Sequence, residues 1–358
     1  MKKAIILCNT YYQILVALQL KIKFYRDECV IILISDHSKN TLDLTKKIKE
    51  LKIFTDVLFI ANKSRYVGGN RSFTCKISNL LFEIISKKQL PDNLIKNVDD
   101  FLFFNLDLYT HSLFATLVNT NPNIKCIRFE EGILSYNFPL SRRKSSILLD
   151  FLRKFFLRKP ILIDRLNDFY CFFPELYEGK LRAHKIPKID TKELKPIIDK
   201  LFDIDLSVYK YKYIFFTSVY DFDVPKPIGE FEVLKKIRDL VGNDNLLVKV
   251  HPRDRRNIYS KEGFHLDPNT SVPWEAILIC AKITSCIFLS VNSSCLFSSK
   301  IINNSAGVSA FVYPLCNVDN DPTAIVTVKN IQYLLKNTVS NNWGKISVVE
   351  KIEDVLTL

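Results

Sequence analysis

Residues 247–254, LVKVHPRD, form an apolar run that stops at a histidine, a proline and two charged residues. The apolar residues from position 246 to 250 predict a short buried strand, and Pro252 cannot continue a central strand because it lacks a backbone donor. His251 is therefore predicted at the carboxyl end of a strand, where open α/β sheets bind ligands. A lone histidine there more often only caps a loop carbonyl, so its role depends on the rest of the chain.

Short apolar strands alternate with helices on both sides of this segment. Upstream, strands are predicted at residues 4–8, 29–35, 56–61, 101–107 and 124–129, separated by helices at 11–24, 41–51, 73–87 and 111–118. Downstream, strands are predicted at 213–218, 246–250, 285–289 and 307–313, with helices at 228–241, 273–281, 324–336 and 348–356. Such alternation is typical of parallel sheets. We therefore predict an α/β fold of two Rossmann-like domains that face each other across a cleft.

The predicted domains are residues 1–190 and 205–345, with a closing helix over 346–358. A lysine-rich, proline-containing segment at 180–200 is interpreted as the connection between them. No GxGxxG fingerprint follows the first strand, so dinucleotide binding is not indicated. The segment 142–160, RRKSSILLDFLRKFFLRKP, predicts a basic amphipathic helix that either packs on the first domain or lies on an anionic membrane.

Composition limits the classes of function. The 358 residues carry a formal charge of +13, which indicates an anionic partner: nucleic acid, a membrane surface, or phosphorylated or acidic sugars. No apolar run approaches the roughly 18 residues that a spanning helix needs. Nine cysteines without a CxxC spacing favour neither a disulfide framework nor a structural zinc site, and they suit a reducing cytoplasm.

A second strand-end cluster is Asn292-Ser293-Ser294, which follows a predicted strand and opens a helix. Serine caps helix starts, and the exposed amides at such a start attract anions. One serine suffices for a cap, so the pair is interpreted as either capping or phosphate binding. In one parallel sheet, His251 and Ser293 would open on the same edge.

Carboxylates that could act as a general base occur at two other strand ends. Glu130-Glu131-Gly132 follows the strand at 124–129, and Asp221-Phe222-Asp223 follows the strand at 213–218. Either pair could accept a proton from an acceptor hydroxyl, and either could instead be solvated loop residues. The DxD form of the second pair also occurs in metal–nucleotide sites, but no histidine or further carboxylate stands close in sequence, so we predict no metal site.

Together these motifs resemble those of bacterial sialyltransferases. An acidic pair with glycine in the first half, HP at a strand end and a Ser-Ser pair about forty residues later are similar to the motifs of glycosyltransferase family 52. This family comprises lipooligosaccharide and capsule sialyltransferases. The opening CNTYYQIL at residues 8–15 is similar to the first strand and loop of that family. The resemblance implies a GT-B-like fold.

The resemblance also implies an activity. The enzyme would transfer sialic acid from CMP-sialic acid to a terminal sugar of a bacterial surface glycan, with inversion and without a metal or another cofactor. His251 would serve as general acid or electrostatic partner of the departing CMP phosphate, and Ser293 and Ser294 would hold that phosphate. The further donor-binding residues are expected to be Asn9, Thr10, Lys249, Pro252 and Asn292.

For the base, the resemblance allows either Glu130 or Glu131, or else Asp221 or Asp223, and we place Glu131 first. A basic enzyme suits a donor with phosphate and carboxylate groups, and an acceptor on an anionic membrane. We therefore expect a cytoplasmic protein bound peripherally to the inner face of the plasma membrane, and we include a homodimer among the expectations. Nucleic acid is not an expected partner.

Two alternatives stay open at this point. One is a transferase of the teichoic-acid type, which uses CDP-alcohol donors and has similar strand-end motifs. The other is a non-catalytic protein that binds nucleic acid or another polyanion through its net charge. Against the second, basic residues are spread through the chain rather than gathered on one recognition helix.

Overall fold

The computed structural model of the chain describes residues 1–38, 40–61, 90–132, 135–136, 154–155, 158, 160–222, 226–281, 283–302, 307–338 and 346–358. The chain divides into two compact units. The first comprises Met1–Glu131 and Ser135–Pro187, and the second comprises Gly132–Leu134 and Lys188–Leu358. The helix predicted at 73–87 and most of the basic amphipathic helix predicted at 142–160 lie outside the described residues.

The first unit contains a parallel sheet of seven strands in the order β3-β2-β1-β4-β5-β6-β7. Its strands are β1 (Lys3–Cys8), β2 (Cys29–Ser35), β3 (Asp56–Ile60), β4 (Asp100–Phe103), β5 (Lys125–Phe129), β6 (Leu166–Cys171) and β7 (Arg182–Lys185). Its helices include α1 (Tyr11–Phe24), α2 (Thr41–Glu50), α3 (Asp92–Ile95) and α4 (Leu108–Thr120). The order of the first six strands follows the doubly wound Rossmann pattern.

The second unit contains a parallel sheet of six strands in the order β10-β9-β8-β11-β12-β13. Its strands are β8 (Tyr213–Phe216), β9 (Leu246–Lys249), β10 (His265–Leu266), β11 (Ile287–Ser290), β12 (Val308–Phe311) and β13 (Ile346–Val348). Its helices include α5 (Thr191–Leu201), α6 (Glu230–Val241), α7 (Ile258–Lys261), α8 (Trp274–Cys280), α9 (Cys295–Ile302) and α10 (Pro322–Thr338). Counted from β8, this is again the Rossmann order.

The central strands are buried on both faces, as expected for parallel strands covered by helices. β2, CVIILIS, has six consecutive buried residues, and all four residues of β8 and of β11 are buried. Local sequence sets the helix starts. Thr10 caps α1 by accepting a hydrogen bond from the Gln13 amide at 3.2 Å, and Asp107 caps α4 by accepting from the Thr110 amide at 2.8 Å.

The structure corrects the sequence prediction at the ends of both sheets. The closing helix predicted over 346–358 is wrong at its start, where Ile346–Val348 forms strand β13 parallel to β12, and a short 3-10 helix, Ile352–Thr357, follows. The segment predicted as a connection at 180–200 contains β7 and α5. The second unit begins at Lys188 rather than 205 because α5 packs on α8. Among the described residues, no helix has the length and apolar content needed to cross a bilayer.

Candidate active site

A buried polar network lies at the carboxyl edge of the first sheet, where β1, β2 and β4 end. The amide of Asn9 donates to Gln13 Oε1 at 2.6 Å, and Ser35 Oγ donates to Asn9 Oδ1 at 2.6 Å. Gln13 Nε2 donates to Asn105 Oδ1 at 3.3 Å. Asn9, Gln13 and Ser35 are almost completely buried. A buried network with satisfied partners fixes the positions of its members, so this edge is rigid.

The acidic pair after β5 divides into a buried and a half-buried residue. Glu130 is fully buried, and its carboxylate accepts hydrogen bonds from the Tyr12 hydroxyl at 2.8 Å, the Phe172 amide at 2.9 Å and the Tyr136 hydroxyl. Glu131 is half-buried. Gly132 follows with a φ of 95°, a conformation that favours glycine. Glu130 therefore anchors the loop, and Glu131 is the residue available for chemistry.

Burial raises the pKa of the Glu131 carboxyl to about 7. The Thr10 hydroxyl, the guanidinium of buried Arg128 and the Gln13 amide oppose this shift by favouring the charged form. A general base is most effective when its pKa lies near the operating pH. Burial raises the pKa of the Glu130 carboxyl to about 7 as well, so the two residues differ in their hydrogen-bond partners and exposure rather than in pKa.

In the second unit, His251 lies just beyond the end of β9. Its backbone amide donates to Thr217 Oγ1 at 2.8 Å, which links it to the end of β8. Its Nδ1 accepts a hydrogen bond from the Arg253 amide at 3.2 Å. The neutral imidazole therefore carries its proton on Nε2. In this tautomer His251 can donate a hydrogen bond to an anionic oxygen. Pro252 is exposed and forms part of the tight turn in which the Asp254 amide donates to the His251 carbonyl at 2.8 Å.

The serine cluster lies just beyond the end of β11, where α9 begins. Ser290 Oγ accepts from the amides of Asn292 at 3.3 Å and Ser293 at 3.0 Å, and Ser293 Oγ accepts from the Cys295 amide at 3.2 Å. The carbonyls of Ser293 and Ser294 accept the first hydrogen bonds of α9. Burial raises the pKa of the Cys295 thiol to about 12, so this helix start carries no thiolate. Its hydroxyl groups and the helix dipole favour an anion.

His251 and the serine cluster share one sheet edge, as the sequence predicted for a single parallel sheet. β9 and β11 are the two neighbours of β8. Two strand spacings separate their ends by roughly 10 Å. The switch point of this sheet lies between β8 and β11, which is where doubly wound sheets bind nucleotides. The two groups could contact one phosphorylated ligand.

Three residues predicted to act on substrates have other roles in the structure. Lys249 is buried, and its Nζ forms an ion pair with Asp267 at 2.7 Å and donates to the Asn269 carbonyl at 2.9 Å, so we withdraw it as a donor ligand. Asp221 accepts from the amides of Gly229 at 2.9 Å and Phe231 at 2.8 Å, and so it caps α6 rather than acting as a base. Asn9 is a buried member of the first network, so its prediction as a donor ligand is also withdrawn.

Thr10 lies beside Glu131 in the first unit, and Asp223 lies outside the described residues. Sequence reasoning missed Gln13, Ser35, Thr217 and Ser290, whose buried polar side chains hold the loops in place. Ser35, Thr217 and Ser290 share one signal, a polar residue at or just after the end of an apolar strand, whereas Gln13 lies in α1.

A buried carboxylate also lies below the serine cluster. Glu275 in α8 accepts a hydrogen bond from Ser298 Oγ in α9 at 2.6 Å, and burial raises the pKa of the Glu275 carboxyl. The bond ties the first turn of α9 to α8, so it fixes the direction of the helix start. Among the described residues, no three His, Cys, Asp or Glu side chains are grouped closely enough to hold a metal ion.

Two Rossmann-like units of this kind define the GT-B class of glycosyltransferases, and solved structures share the fold. An alpha/beta-galactoside alpha-2,3-sialyltransferase from the luminous marine bacterium Photobacterium phosphoreum is 12% identical over 99% of this chain and 100% of its own, with a TM-score of 0.51. UGT89C1 from Arabidopsis thaliana is 9% identical over 98% of this chain and 86% of its own, with a TM-score of 0.51. MnaA from S. aureus, solved with UDP, is 12% identical over 100% of this chain and 95% of its own, also with a TM-score of 0.51.

A match of the sequence to a family model shows the family of the chain. Residues 4–312 match the model of the alpha-2,8-polysialyltransferase (POLYST) family. The chain belongs to this family, and it is a sialyltransferase. No curated protein sequence matches it. The prediction of a sialyltransferase is therefore confirmed, and the alternative of a non-catalytic polyanion-binding protein is discarded.

Proposed function

We propose that the chain transfers sialic acid from CMP-sialic acid to a terminal sugar of a bacterial surface glycan, with inversion and without a metal ion. The observation that carries the donor assignment is the pairing of His251 with the serine cluster on one sheet edge, beside the switch point of the second sheet. Together they offer an imidazole donor and a helix start to one phosphate.

A donor with a single phosphate suits this edge better than one with a diphosphate. Of the helices that follow the two strands at the switch point, α6 has its start occupied by the Asp221 carboxylate. A second phosphate at α6 would meet a carboxylate, whereas the start of α9 presents hydroxyl groups. This difference favours CMP over CDP donors.

The proposed reaction divides the chemistry between leaving group and acceptor. As the bond from the anomeric carbon to the CMP phosphate breaks, negative charge develops on the phosphate. His251 Nε2 and the serine hydroxyls stabilise that charge by hydrogen bonding. The sugar passes through an oxocarbenium-like transition state. Glu131, as carboxylate, takes the proton from the acceptor hydroxyl that attacks the anomeric carbon, and a single displacement gives inversion.

The acceptor we propose is a glycan that ends in sialic acid. The family name describes α-2,8-linked polysialic acid, in which each transfer uses a terminal sialic acid as acceptor. Such an acceptor carries one carboxylate per sugar, and the formal charge of +13 suits a long polyanion.

A donor and acceptor screen tests this proposal. The protein is incubated with CMP-sialic acid and an α-2,8-linked sialic acid oligomer, with CMP release and chain lengthening as readouts and lactose as the comparison acceptor. We expect CMP release that depends on the sialic acid oligomer, continues in EDTA, and gives a product with inverted anomeric configuration by NMR. Release of CMP with lactose alone would contradict the acceptor assignment.

The CDP-alcohol alternative is tested in the same assay. CDP-glycerol replaces CMP-sialic acid, and glycerol phosphate transfer is measured by CMP release. We expect none, because a second phosphate at the start of α6 would meet the Asp221 carboxylate. Turnover of CDP-glycerol together with inactivity on CMP-sialic acid would reject the proposed donor.

The family assignment, the target glycan, the cellular position and the oligomeric state are proposed from the sequence alone. Membership of glycosyltransferase family 52 is supported by the motifs CNTYYQIL, Glu-Glu-Gly, His-Pro and Ser-Ser. A lipooligosaccharide or capsule glycan as target, a peripheral position on the inner face of the plasma membrane, and a homodimer stay predictions. Sedimentation with anionic vesicles, for the full chain and for a variant with Phe155→Glu and Phe156→Glu, tests membrane contact through residues 142–160, and equal partitioning would count against it.

A further inference from the structure

The turn that carries His251 ends at a buried carboxylate that has no role in the proposed reaction so far. The Asp254 amide donates to the His251 carbonyl at 2.8 Å, and the Arg253 amide, between them, donates to His251 Nδ1 at 3.2 Å. The side chain of Asp254 is completely buried. Its carboxylate accepts from the Arg256 amide at 2.9 Å, from Arg256 Nη2 at 2.8 Å and from the Tyr259 hydroxyl at 3.3 Å. The turn is therefore anchored at the residue that ends it.

Arg256 joins this turn to the loop after β8. Its Nη1 donates to the Asp221 carbonyl at 3.2 Å, and its guanidinium carbon lies 4.8 Å from the centre of the Phe222 ring. Asp221 is itself fixed, because its carboxylate caps α6. A guanidinium is a rigid planar group with several donors, so one side chain can hold the Asp254 carboxylate and the Asp221 carbonyl together. Arg256 thus connects the loops that follow two neighbouring strands.

The charge of Asp254 holds Arg256 in this position. Burial of the carboxyl favours its neutral form, but hydrogen bonds from the side chain and amide of Arg256 outweigh this effect and hold the pKa of Asp254 below its usual range. The carboxyl is therefore ionised at neutral pH. Hydrogen bonds between an ionised donor and an ionised acceptor are stronger than those between neutral groups. The ion pair is accordingly the firmest contact between the two loops.

The direction of the Arg253 amide determines which nitrogen of His251 carries the proton. While the turn is closed, this amide donates to Nδ1, and the proton of the neutral imidazole is on Nε2. In an open turn Nδ1 loses this donor, and the proton can then move to Nδ1. Nε2 would have a lone pair in that tautomer, and a lone pair cannot donate to an anionic oxygen.

We propose that Asp254 and Arg256 are positioning residues of His251, which keep its turn closed and its proton on Nε2. The inference rests on the proposed function, in which Nε2 donates to the departing phosphate. It adds two residues that act through His251 and not on the donor itself. The contact between Arg256 and the Asp221 carbonyl extends this support to the loop after β8.

A purely structural role for the ion pair is the alternative. Asp254 and Arg256 could hold two loops together without any influence on the imidazole. Their loss would then lower turnover by the same factor whether or not His251 is present. A positioning role predicts a loss only when His251 is present, and a double-mutant cycle separates the two cases.

The first experiment measures CMP release by the full chain with CMP-sialic acid and an α-2,8-linked sialic acid oligomer. We expect Arg256→Ala to lower turnover roughly 10- to 100-fold, the size of effect for a small misplacement of a catalytic group. The same substitution should cause no further loss in the His251→Ala variant. Arg256→Lys should lose as much as Arg256→Ala, because a single ammonium group cannot hold both loops. Asp239→Asn is the matched control, since it removes the charge from an exposed ion pair with Arg238 at 3.1 Å in α6, and it should retain wild-type turnover.

The second experiment observes the tautomer directly by nitrogen-15 NMR of histidine-labelled protein without substrate. The His251 signals are assigned by their absence in His251→Ala. At a pH at which the imidazole is neutral, the wild type and Asp239→Asn should show the proton on Nε2. Arg256→Ala and Asp254→Asn should show a mixture of both tautomers.

Three results would overturn the proposal: a loss of turnover on Arg256→Ala that is equal in the presence and absence of His251, wild-type turnover in Arg256→Lys, or the wild-type tautomer in Arg256→Ala and Asp254→Asn. If Arg256→Ala fails to fold, Arg256→Lys, which keeps a charge beside Asp254, takes its place in both experiments. Failure of the wild-type protein to release CMP from CMP-sialic acid is a different result. It would reject the proposed function, whereas the NMR spectra would still decide whether the ion pair sets the tautomer.

Discussion

The two units share one strand order, but their carboxyl edges are built from different groups. At the edge of the first sheet, side-chain amides and hydroxyls hydrogen-bond to one another beneath Glu131, whose pKa burial raises to about 7. At the edge of the second sheet, His251 and the start of α9 present donors for an anion. The fold fixes where ligands can bind, and in the proposed function the groups at each edge decide which half of the reaction that edge serves.

Carboxylates occur after strands in both units, and their surroundings separate their roles. Glu131 is half-buried beside Thr10 and Gln13, and burial raises the pKa of its carboxyl. Both carboxylate oxygens of Asp221 accept hydrogen bonds from amides at the start of α6. A carboxylate whose two oxygens both accept hydrogen bonds from backbone amides serves as a helix cap. Position after a strand is therefore not sufficient to make a base.

The largest effect should come from the second edge. His251→Ala should reduce turnover by about 10²–10⁴, the range for a general acid, because the departing phosphate loses its donor. Steady-state CMP release measures the change. His265→Ala, whose exposed side chain lies on edge strand β10, is the control and should retain wild-type turnover. Wild-type turnover in His251→Ala would remove this residue from the site.

The serine cluster should contribute the next effect. The double variant Ser293→Ala and Ser294→Ala should weaken CMP binding by roughly 10- to 100-fold, because hydrogen bonds to a charged phosphate are lost. Calorimetric titration with CMP measures the affinity. Ser260→Ala, on the exposed face of α7, should leave it unchanged. If the double variant binds CMP as tightly as the wild type, the start of α9 only caps the helix.

Glu131, at the edge of the first sheet, should determine how the rate of transfer depends on pH. Glu131 must be ionised to accept a proton, and its pKa of about 7 means that kcat/KM rises with pH and levels off above that value. At pH 6 the rate should be roughly a tenth of the plateau, since about a tenth of the carboxyl is then ionised. Transfer to the sialic acid oligomer between pH 5.5 and 8.5 measures this. A flat profile would argue against Glu131.

The smallest effect concerns Asp221. Asp221→Ala should lower the free energy of unfolding by about 1 kcal/mol, the usual cost of losing a helix cap. Turnover below the unfolding transition should stay within a few-fold of wild type, because the residue is not the base. Urea unfolding and CMP release on the same preparation separate the two quantities. A loss of turnover comparable to that of His251→Ala, without a loss of stability, would restore Asp221 as the base.

Much of the fold could be predicted because the apolar runs of β1, β2, β8 and β11 are continuous and buried on both faces. The edge strands β7 and β13 were missed because strands that are partly exposed carry no apolar run. Ile346–Val348 is only three residues long, and Arg182–Lys185 reads as polar linker. Pairing with a neighbouring strand, rather than local sequence, makes these segments strands.

The sequence predicts which residues lie at the candidate site, but it does not predict their hydrogen-bond and ion-pair partners. His251, Ser293 and Glu131 each follow an apolar strand, and this signal is visible in the sequence. Lys249 forms an ion pair and Asp221 accepts from backbone amides, and the partners of both residues lie 8 to 20 positions away in the sequence. Ser35 in turn contacts Asn9, which is 26 residues away. Such contacts follow from the folded sheet and have no sequence signature.

The most direct test measures donor binding and transfer on a single variant, Glu131→Gln. The central claim is that the first unit activates the acceptor while the second unit holds the donor nucleotide. Glu131→Gln should therefore bind CMP with wild-type affinity and transfer sialic acid about 10²–10⁴ times more slowly. A loss of CMP affinity in this variant, or transfer at the wild-type rate, would contradict the claim.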